Sequence, residues 1–272
     1  MSDQFSQDIT GRKRSPGETF YTREVAVQYE KLRKNDRYWS WENDILDQCL
    51  RAFGDLRDIA DCPVGTGRFM DIYSSHNLRV VGIDISTDML EEAGNKINAS
   101  GMEGRVELVE ADVSNLAPRE PVAEALVCFR LLHLISDNNL DDVISGLAMI
   151  PSRHIVLQQF SVKDYNIRRA LRRVFHALFS EISLARKIKY ICRTLRDMIV
   201  GVLGLRSVSV FSRHKKNTFC DVTYSHSLAR VLNAFARRGF LMKYIFDFKD
   251  NEHLMGESGC YLSVIMVMEK TK

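Results

Sequence analysis

With 272 residues, 45% of them hydrophobic and 27% charged, the chain can bury the core of one large α/β domain. No apolar run approaches the roughly 18 residues that span a bilayer. The six cysteines (49, 62, 128, 192, 220, 260) form no CxxC pair, which argues against a disulfide framework or a metal site and for reduced thiols in a cytoplasmic protein. Net charge is only +3, but residues 163–216 hold fourteen Lys/Arg against three Asp/Glu, a local +11 that leaves the remainder at −8.

In chain order, residues 1–20 are polar without an apolar signal core and are expected to be a disordered leader. Residues 21–54 read as one or two cap helices. An alternation follows: a strand over 57–61, a helix over 68–75, a β-branched strand over 78–84, and a helix from 86 with Ser86 as N-cap. Strands over 106–110 and 123–129, a helix over 138–149 and a strand over 154–160 continue it. This rhythm predicts βαβ units and a parallel sheet. It breaks at 163–218, where apolar positions at helical spacing oppose a basic face (Arg168, Arg169, Arg172, Arg173, Arg186, Lys187, Arg193). A helix over 224–238 and strands over 240–248 and 261–268 close the chain, the last strand expected to be antiparallel. The α/β core is thus expected over 55–162 and 219–272, with 163–218 inserted as a basic helical segment.

The stretch "DIADCPVGTGRF" (58–69) places an acid at a strand end, then Gly65 and Gly67, then a helix. Open parallel sheets bind ligands at such turns, and glycines there allow positive φ and close approach. Two cofactor classes compete. A dinucleotide site wants a third glycine, which is Met70 here, and its pyrophosphate gains nothing from Asp61. S-adenosylmethionine, cationic and free of phosphate, suits the acid. Asp84, 23 residues after Asp61, stands where a ribose-binding acid belongs, with Ile85 beside it. Asp112, after the third strand, can accept from an adenine amino group, while Val113 and Met89 offer apolar faces to the ring.

On these residues the sequence resembles the class I S-adenosylmethionine-dependent methyltransferases, particularly the small-molecule branch that includes the quinone-biosynthesis C-methyltransferases. The pieces are "IADCPVGTGRF", "VVGIDISTDMLEEA", "VELVEADVSNLAP", "ALVCFRLLHLI" and "YSHSLARVLNAFARRGF". The resemblance implies a Rossmann-like, mostly parallel seven-stranded sheet of order 3-2-1-4-5-7-6, with the donor across the ends of strands 1, 2 and 4. It puts Asp61, Gly65 and Gly67 at the methionine end, Asp84 at the ribose and Asp112 at the adenine, with Phe129 lining the donor pocket. It also implies that the 163–218 insertion after strand 5 forms an acceptor-binding lid. Pro63 departs from the commonest loop because it lacks an N–H, although family members with a Pro-Cys-Gly-Thr-Gly-Arg loop carry a proline too.

Methyl transfer from a sulfonium needs chiefly alignment and exclusion of water; an O–H acceptor also gains from a general base. After the fourth strand, Arg130 can hold an acidic acceptor and His133 can take a proton; the alternative for His133 is helix–sheet packing. Tyr21 and Tyr29 from the cap, with His214 and His226 flanking the insertion, are the other acceptor-side candidates. The insertion suits a phosphorylated or carboxylated small molecule. It also suits an anionic membrane surface on the inner face, with a lipid-linked acceptor. Its aromatics fall on the apolar side, which argues against nucleic acid; that apolar face could instead form a homodimer. The expected function is O-directed methyl transfer, and the alternatives are a non-catalytic binding protein on the same fold or a C- or N-methyltransferase of a quinone-like or nucleic-acid acceptor.

Overall fold

The computed structural model describes residues 37–116, 120–162, 184, 188, 191–192, 208–210, 223–248 and 261–271. The expected leader, the first part of the cap and most of the insertion lie outside them.

Helix α1 (Arg37–Phe53) precedes the sheet and buries a stripe of Tyr38, Trp39, Glu42, Ile45, Leu46, Cys49 and Leu50 at three- and four-residue spacing. The core then runs β1 (Asp58–Asp61), α2 (Met70–Ser75), β2 (Arg79–Asp84), α3 (Thr87–Ala99), β3 (Val106–Glu110), β4 (Ala123–Cys128), α4 (Leu140–Met149) and β5 (Pro151–Val162). A short pair, β6 (Val208–Val210) and β7 (Thr223–Ser225), leads to α5 (Leu228–Ala236), β8 (Phe240–Asp247) and β9 (Tyr261–Lys270).

The seven-stranded sheet has the order β3-β2-β1-β4-β5-β9-β8. With β8 and β9 as its sixth and seventh strands, this is the expected 3-2-1-4-5-7-6. The pairs among β3, β2, β1, β4 and β5 are parallel, and β9 runs antiparallel to both β5 and β8. Consecutive side chains of a strand face opposite layers: Ile59 joins a core with Leu46, Tyr73 and Ile97, whereas Ala60 joins one with Leu140, Leu147 and Phe235. Helices α1–α3 therefore cover one face and α4 and α5 the other.

Four features differ from the sequence reading. Helix α2 begins at Met70 rather than Arg68, because Gly67 N–H donates to Val64 O and Met70 N–H to Gly67 O in two successive turns. Strand β5 starts at Pro151, a first-strand position where proline is tolerated. The two-stranded β6–β7 sheet was not foreseen; three residues per strand leave no readable alternation. Helix α5 starts later than expected, at Leu228, where the Ser227 hydroxyl accepts from Arg230 N.

Candidate functional site

The carboxyl ends of β1, β2 and β4 lie side by side, and the residues just beyond them form the site. Asp61, the last residue of β1, is buried, and Tyr73 of α2 donates its hydroxyl to Asp61 Oδ2 at 2.8 Å. Burial pushes this carboxyl up to about 8, against the opposing effect of the Tyr73 bond and with the nearby Asp84 adding to the rise. Asp84, which ends β2, is also buried. It accepts from Gly65 N at 2.9 Å and from Ser86 N at 3.0 Å. Burial raises it to about 6, moderated by the backbone bonds from Ser86, Gly65 and Ile85.

The turn between them is shaped by its glycines. Gly65 and Gly67 have φ of +55° and +74°, a region other residues enter only at a cost. A Cβ on Gly67 would press on Ala93 of α3 at 3.3 Å, so this glycine lets turn and helix approach. A Cβ on Gly65 would meet nothing within 4 Å. Pro63 follows a cis peptide bond with Cys62. Its neighbours' amides serve the sheet, Cys62 N–H donating to Val127 O and Val64 N–H to Ile83 O, both at 2.9 Å. The proline thus falls in a stretch whose flanking donors are already committed, and the first amide of the turn aimed at a functional group is that of Gly65.

Asp112 caps the short turn Val113–Asn115, its Oδ1 accepting from Ser114 N at 2.9 Å and Ser114 Oγ at 2.7 Å. Val113 and Met89 are buried. Gly146 of α4 permits this arrangement, since a Cβ there would lie 1.8 Å from Val113 O. Met89 N–H donates to Ser86 Oγ at 3.3 Å, the N-cap foreseen in the sequence. Ile85 is half-buried.

Beyond β4, Phe129 is buried and meets Phe69 edge-on at 5.0 Å between ring centroids. Arg130 adopts φ +59°. Its backbone N–H donates to Gln158 Oε1 at 2.9 Å and its Nη2 to Glu42 Oε2 at 3.0 Å. His133 stands in the turn Leu132–Leu134, its ring edge-on to Phe160 at 5.1 Å. His226 is buried, and its Nε2 donates to Leu132 O at 2.9 Å and Ile135 O at 3.0 Å, so it braces the turn that carries His133. Burial pushes the His226 imidazole down. Tyr21, Tyr29 and His214 lie outside the described residues.

Sequence reasoning missed a polar cluster contributed by α1. The Glu42 carboxylate is fully buried and accepts from Arg68 Nη1 as well as from Arg130. Arg68 Nη2 donates to Trp39 O at 2.9 Å and Asn43 Oδ1 at 2.8 Å. Beside it, the Gln158 amide donates to Tyr38 Oη at 2.8 Å and to Ser263 Oγ at 3.2 Å, and the Tyr38 and Ser263 hydroxyls share a further hydrogen bond. One signal was available: Glu42 occupies an i, i+3, i+4 position in an otherwise apolar stripe.

Residues 59–150 match the family model for a methyltransferase domain. Among solved structures, the chain is similar to magnesium protoporphyrin IX methyltransferase of Synechocystis PCC 6803 with bound SAH. The TM-score is 0.60 at 16% identity, covering 93% of this chain and 97% of that one. It is also similar to 1,6-didemethyltoxoflavin-N1-methyltransferase of Burkholderia thailandensis, crystallised with 1,6-didemethyltoxoflavin and S-adenosylhomocysteine (TM-score 0.53, 12% identity, 97% and 94% covered). A third similar structure is an S-adenosylmethionine-dependent methyltransferase of Clostridium acetobutylicum ATCC 824 (TM-score 0.55, 13% identity, 92% and 98% covered). No curated protein matches the sequence. Residues 59–150 thus match a methyltransferase domain, and the chain shares the fold of these S-adenosylmethionine-dependent methyltransferases. The narrower likeness to the quinone-biosynthesis branch draws no support from these matches.

Proposed function

We propose that the protein transfers a methyl group from S-adenosylmethionine to an oxygen of a small anionic or amphipathic acceptor. One observation carries the donor reading: two buried carboxylates, Asp61 and Asp84, flank a turn whose Gly65 is open on the side a Cβ would fill. A cation placed beside a buried acid favours its ionised form, and a carboxylate has about four acceptor positions, so Asp84 can bond ribose hydroxyls besides its backbone donors. Asp61, Gly65 and Gly67 would hold the methionine end and Asp112 the adenine amino group. Ile85, Met89 and Val113 would flank the ring, and Phe129 would line the wall toward the sulfonium.

What the donor supplies when bound is an already activated methyl group. The chain then has to orient the acceptor, exclude water and accept a proton. Arg130 would pair with an acidic acceptor, and His133, in the next turn, would accept the acceptor's proton at a ring nitrogen. Tyr21, Tyr29 and His214 would complete the acceptor side. The two neighbours named above for their substrates are named for small molecules, which supports an acceptor of that kind.

Calorimetric titration with S-adenosylmethionine tests the donor site; binding that is lost in Asp84→Ala is the expected outcome, and no binding to the wild type sinks the reading. Transfer of labelled methyl to hydroxylated carboxylates and phosphates tests the chemistry. Binding without any transfer favours the non-catalytic alternative, and methylation confined to nitrogen or carbon rejects the oxygen assignment.

A second reading concerns the basic insertion. Leu184 and Ile188, both on its apolar stripe, are helical and 73% and 54% exposed, which favours docking on an anionic membrane surface. No helix among the described residues is long and apolar enough to cross a membrane, so the contact would be peripheral. Flotation with anionic liposomes at low salt is expected; absence of flotation retires the idea, and a concentration-dependent dimer in sedimentation would give the same face another occupant.

A further inference from the structure

We propose that Glu42 is a positioning residue of the donor site, setting Arg130 and Arg68 from a single carboxylate oxygen and so making α1 part of that site. The inference rests on reading the site as one for S-adenosylmethionine.

Both guanidiniums meet at Glu42 Oε2: Arg68 through Nη1, Arg130 through Nη2 at 3.0 Å. The two arginines belong to two of the segments that carry the donor-side residues. Arg68 directly follows Gly67 in the turn after β1, and Arg130 directly follows Phe129 after β4. Each is then fixed by further contacts. The Arg68 guanidinium lies 4.3 Å from the Trp39 ring and 4.6 Å from that of Phe69. The Arg130 guanidinium lies 5.2 Å from the Tyr38 ring, and its backbone is anchored by Gln158 in the left-handed region. Tyr38 and Glu42 are one helical turn apart on α1 and reach the same arginine.

As a stabilising device this is a poor choice. A buried carboxylate loses its hydration, and an apolar side chain of similar size is often no worse for stability. The stripe of α1 could have been completed by a leucine. A planar guanidinium, by contrast, takes its direction from the acceptor it meets, and one acid between two cations fixes both segments at once.

Calorimetric titration of the folded protein with S-adenosylhomocysteine separates positioning from stability. Glu42→Gln keeps the shape and removes the charge, and is expected to weaken binding at least tenfold at temperatures well below its melting point. Glu42→Gln combined with Arg130→Gln removes one acid and one base. If Glu42 only neutralises buried charge, this double variant regains both melting temperature and affinity. If Glu42 positions Arg130, it regains melting temperature without regaining affinity, which is the expected result. Glu42→Gln binding within twofold of wild type, or a double variant with wild-type affinity, overturns the proposal. If Glu42→Gln does not fold, Arg130→Gln leaves the Glu42–Arg68 pair intact and is expected to weaken binding severalfold; unchanged binding again overturns it. Failure of the wild type to bind S-adenosylhomocysteine would overturn the donor reading and this inference with it.

Discussion

The two halves of the sheet solve different problems. In the parallel half, β3-β2-β1-β4, the two strands β1 and β2 end in buried carboxylates that the following segments bond. Asp84 is bonded by Gly65 and Ser86, and Asp61 by Tyr73. In the antiparallel half, β5-β9-β8, the outer strand exposes Leu241, Met242, Tyr244 and Ile245, and the buried polar residues Gln158 of β5 and Ser263 of β9 are neutral. The difference follows from connection geometry. A parallel strand must hand the chain to a crossover, so its carboxyl end opens into a turn where a ligand can meet backbone. An antiparallel pair needs no such crossover.

The largest expected effect lies in the first half. Asp84→Ala removes the acceptor of two turn amides and the proposed ribose contact, and should raise the donor Kd at least about 100-fold, roughly 2.7 kcal/mol. If Asp84→Ala bound the donor normally, the contrast between the halves would lose its functional meaning. Gly146→Ala forces a Cβ to within 1.8 Å of Val113 O; overpacking of this kind typically destabilises by about 1–3 kcal/mol, readable as a lower melting temperature. Gly65→Ala has room for its Cβ but keeps a left-handed φ, a strain of about 1–2 kcal/mol. It should therefore reduce donor affinity more than Gly146→Ala does while lowering the melting temperature less.

A pH dependence sharpens the same contrast. The folded carboxyls of Asp61 and Asp84, at about 8 and about 6, bind protons more tightly than the ordinary value of 3.8. Between these limits the folded state holds more protons than the unfolded one, so their contribution is fully present below 3.8 and is lost as pH rises toward 8. Each group changes stability by at most about 1.4 kcal/mol per pH unit. Melting of the ligand-free protein should weaken from pH 5 to 8 in wild type and less so in Asp61→Asn. A bound cation favours the ionised acid, so donor binding near pH 7 should release a proton. That release is measurable as a buffer-dependent binding enthalpy and should vanish in Asp61→Asn; a buffer-independent enthalpy in the wild type would count against Asp61 as the cation's partner. The smallest effect belongs to the second half: Tyr244→Ser, at an exposed position of β8, should stay within about 0.5 kcal/mol in stability and leave donor affinity unchanged.

Much of the parallel half was legible because its signals are local. A β-branched run, an acid, a glycine turn and an amphipathic helix repeat with a fixed rhythm, and Ser86 announces its helix as an N-cap. The Glu42 cluster was not legible, because its partners are 26 and 88 residues away and pair only when α1 packs across the ends of β1 and β4. The β6–β7 pair was missed for a different reason, since strands of three residues carry no period.

The sequence by itself determined the alternation, the strand-end acids Asp61 and Asp84, and the positive-φ turn between them, because each is set by periodicity or by backbone freedom within a few residues. The tertiary structure decided what those acids touch. It tied the amides flanking Pro63 to the sheet, turned His226 inward to brace the turn after β4, and brought Arg68 and Arg130 to one buried oxygen of Glu42. Such contacts join residues distant in sequence, and the hydrogen-bonding needs of groups removed from water select them only once the layers have packed.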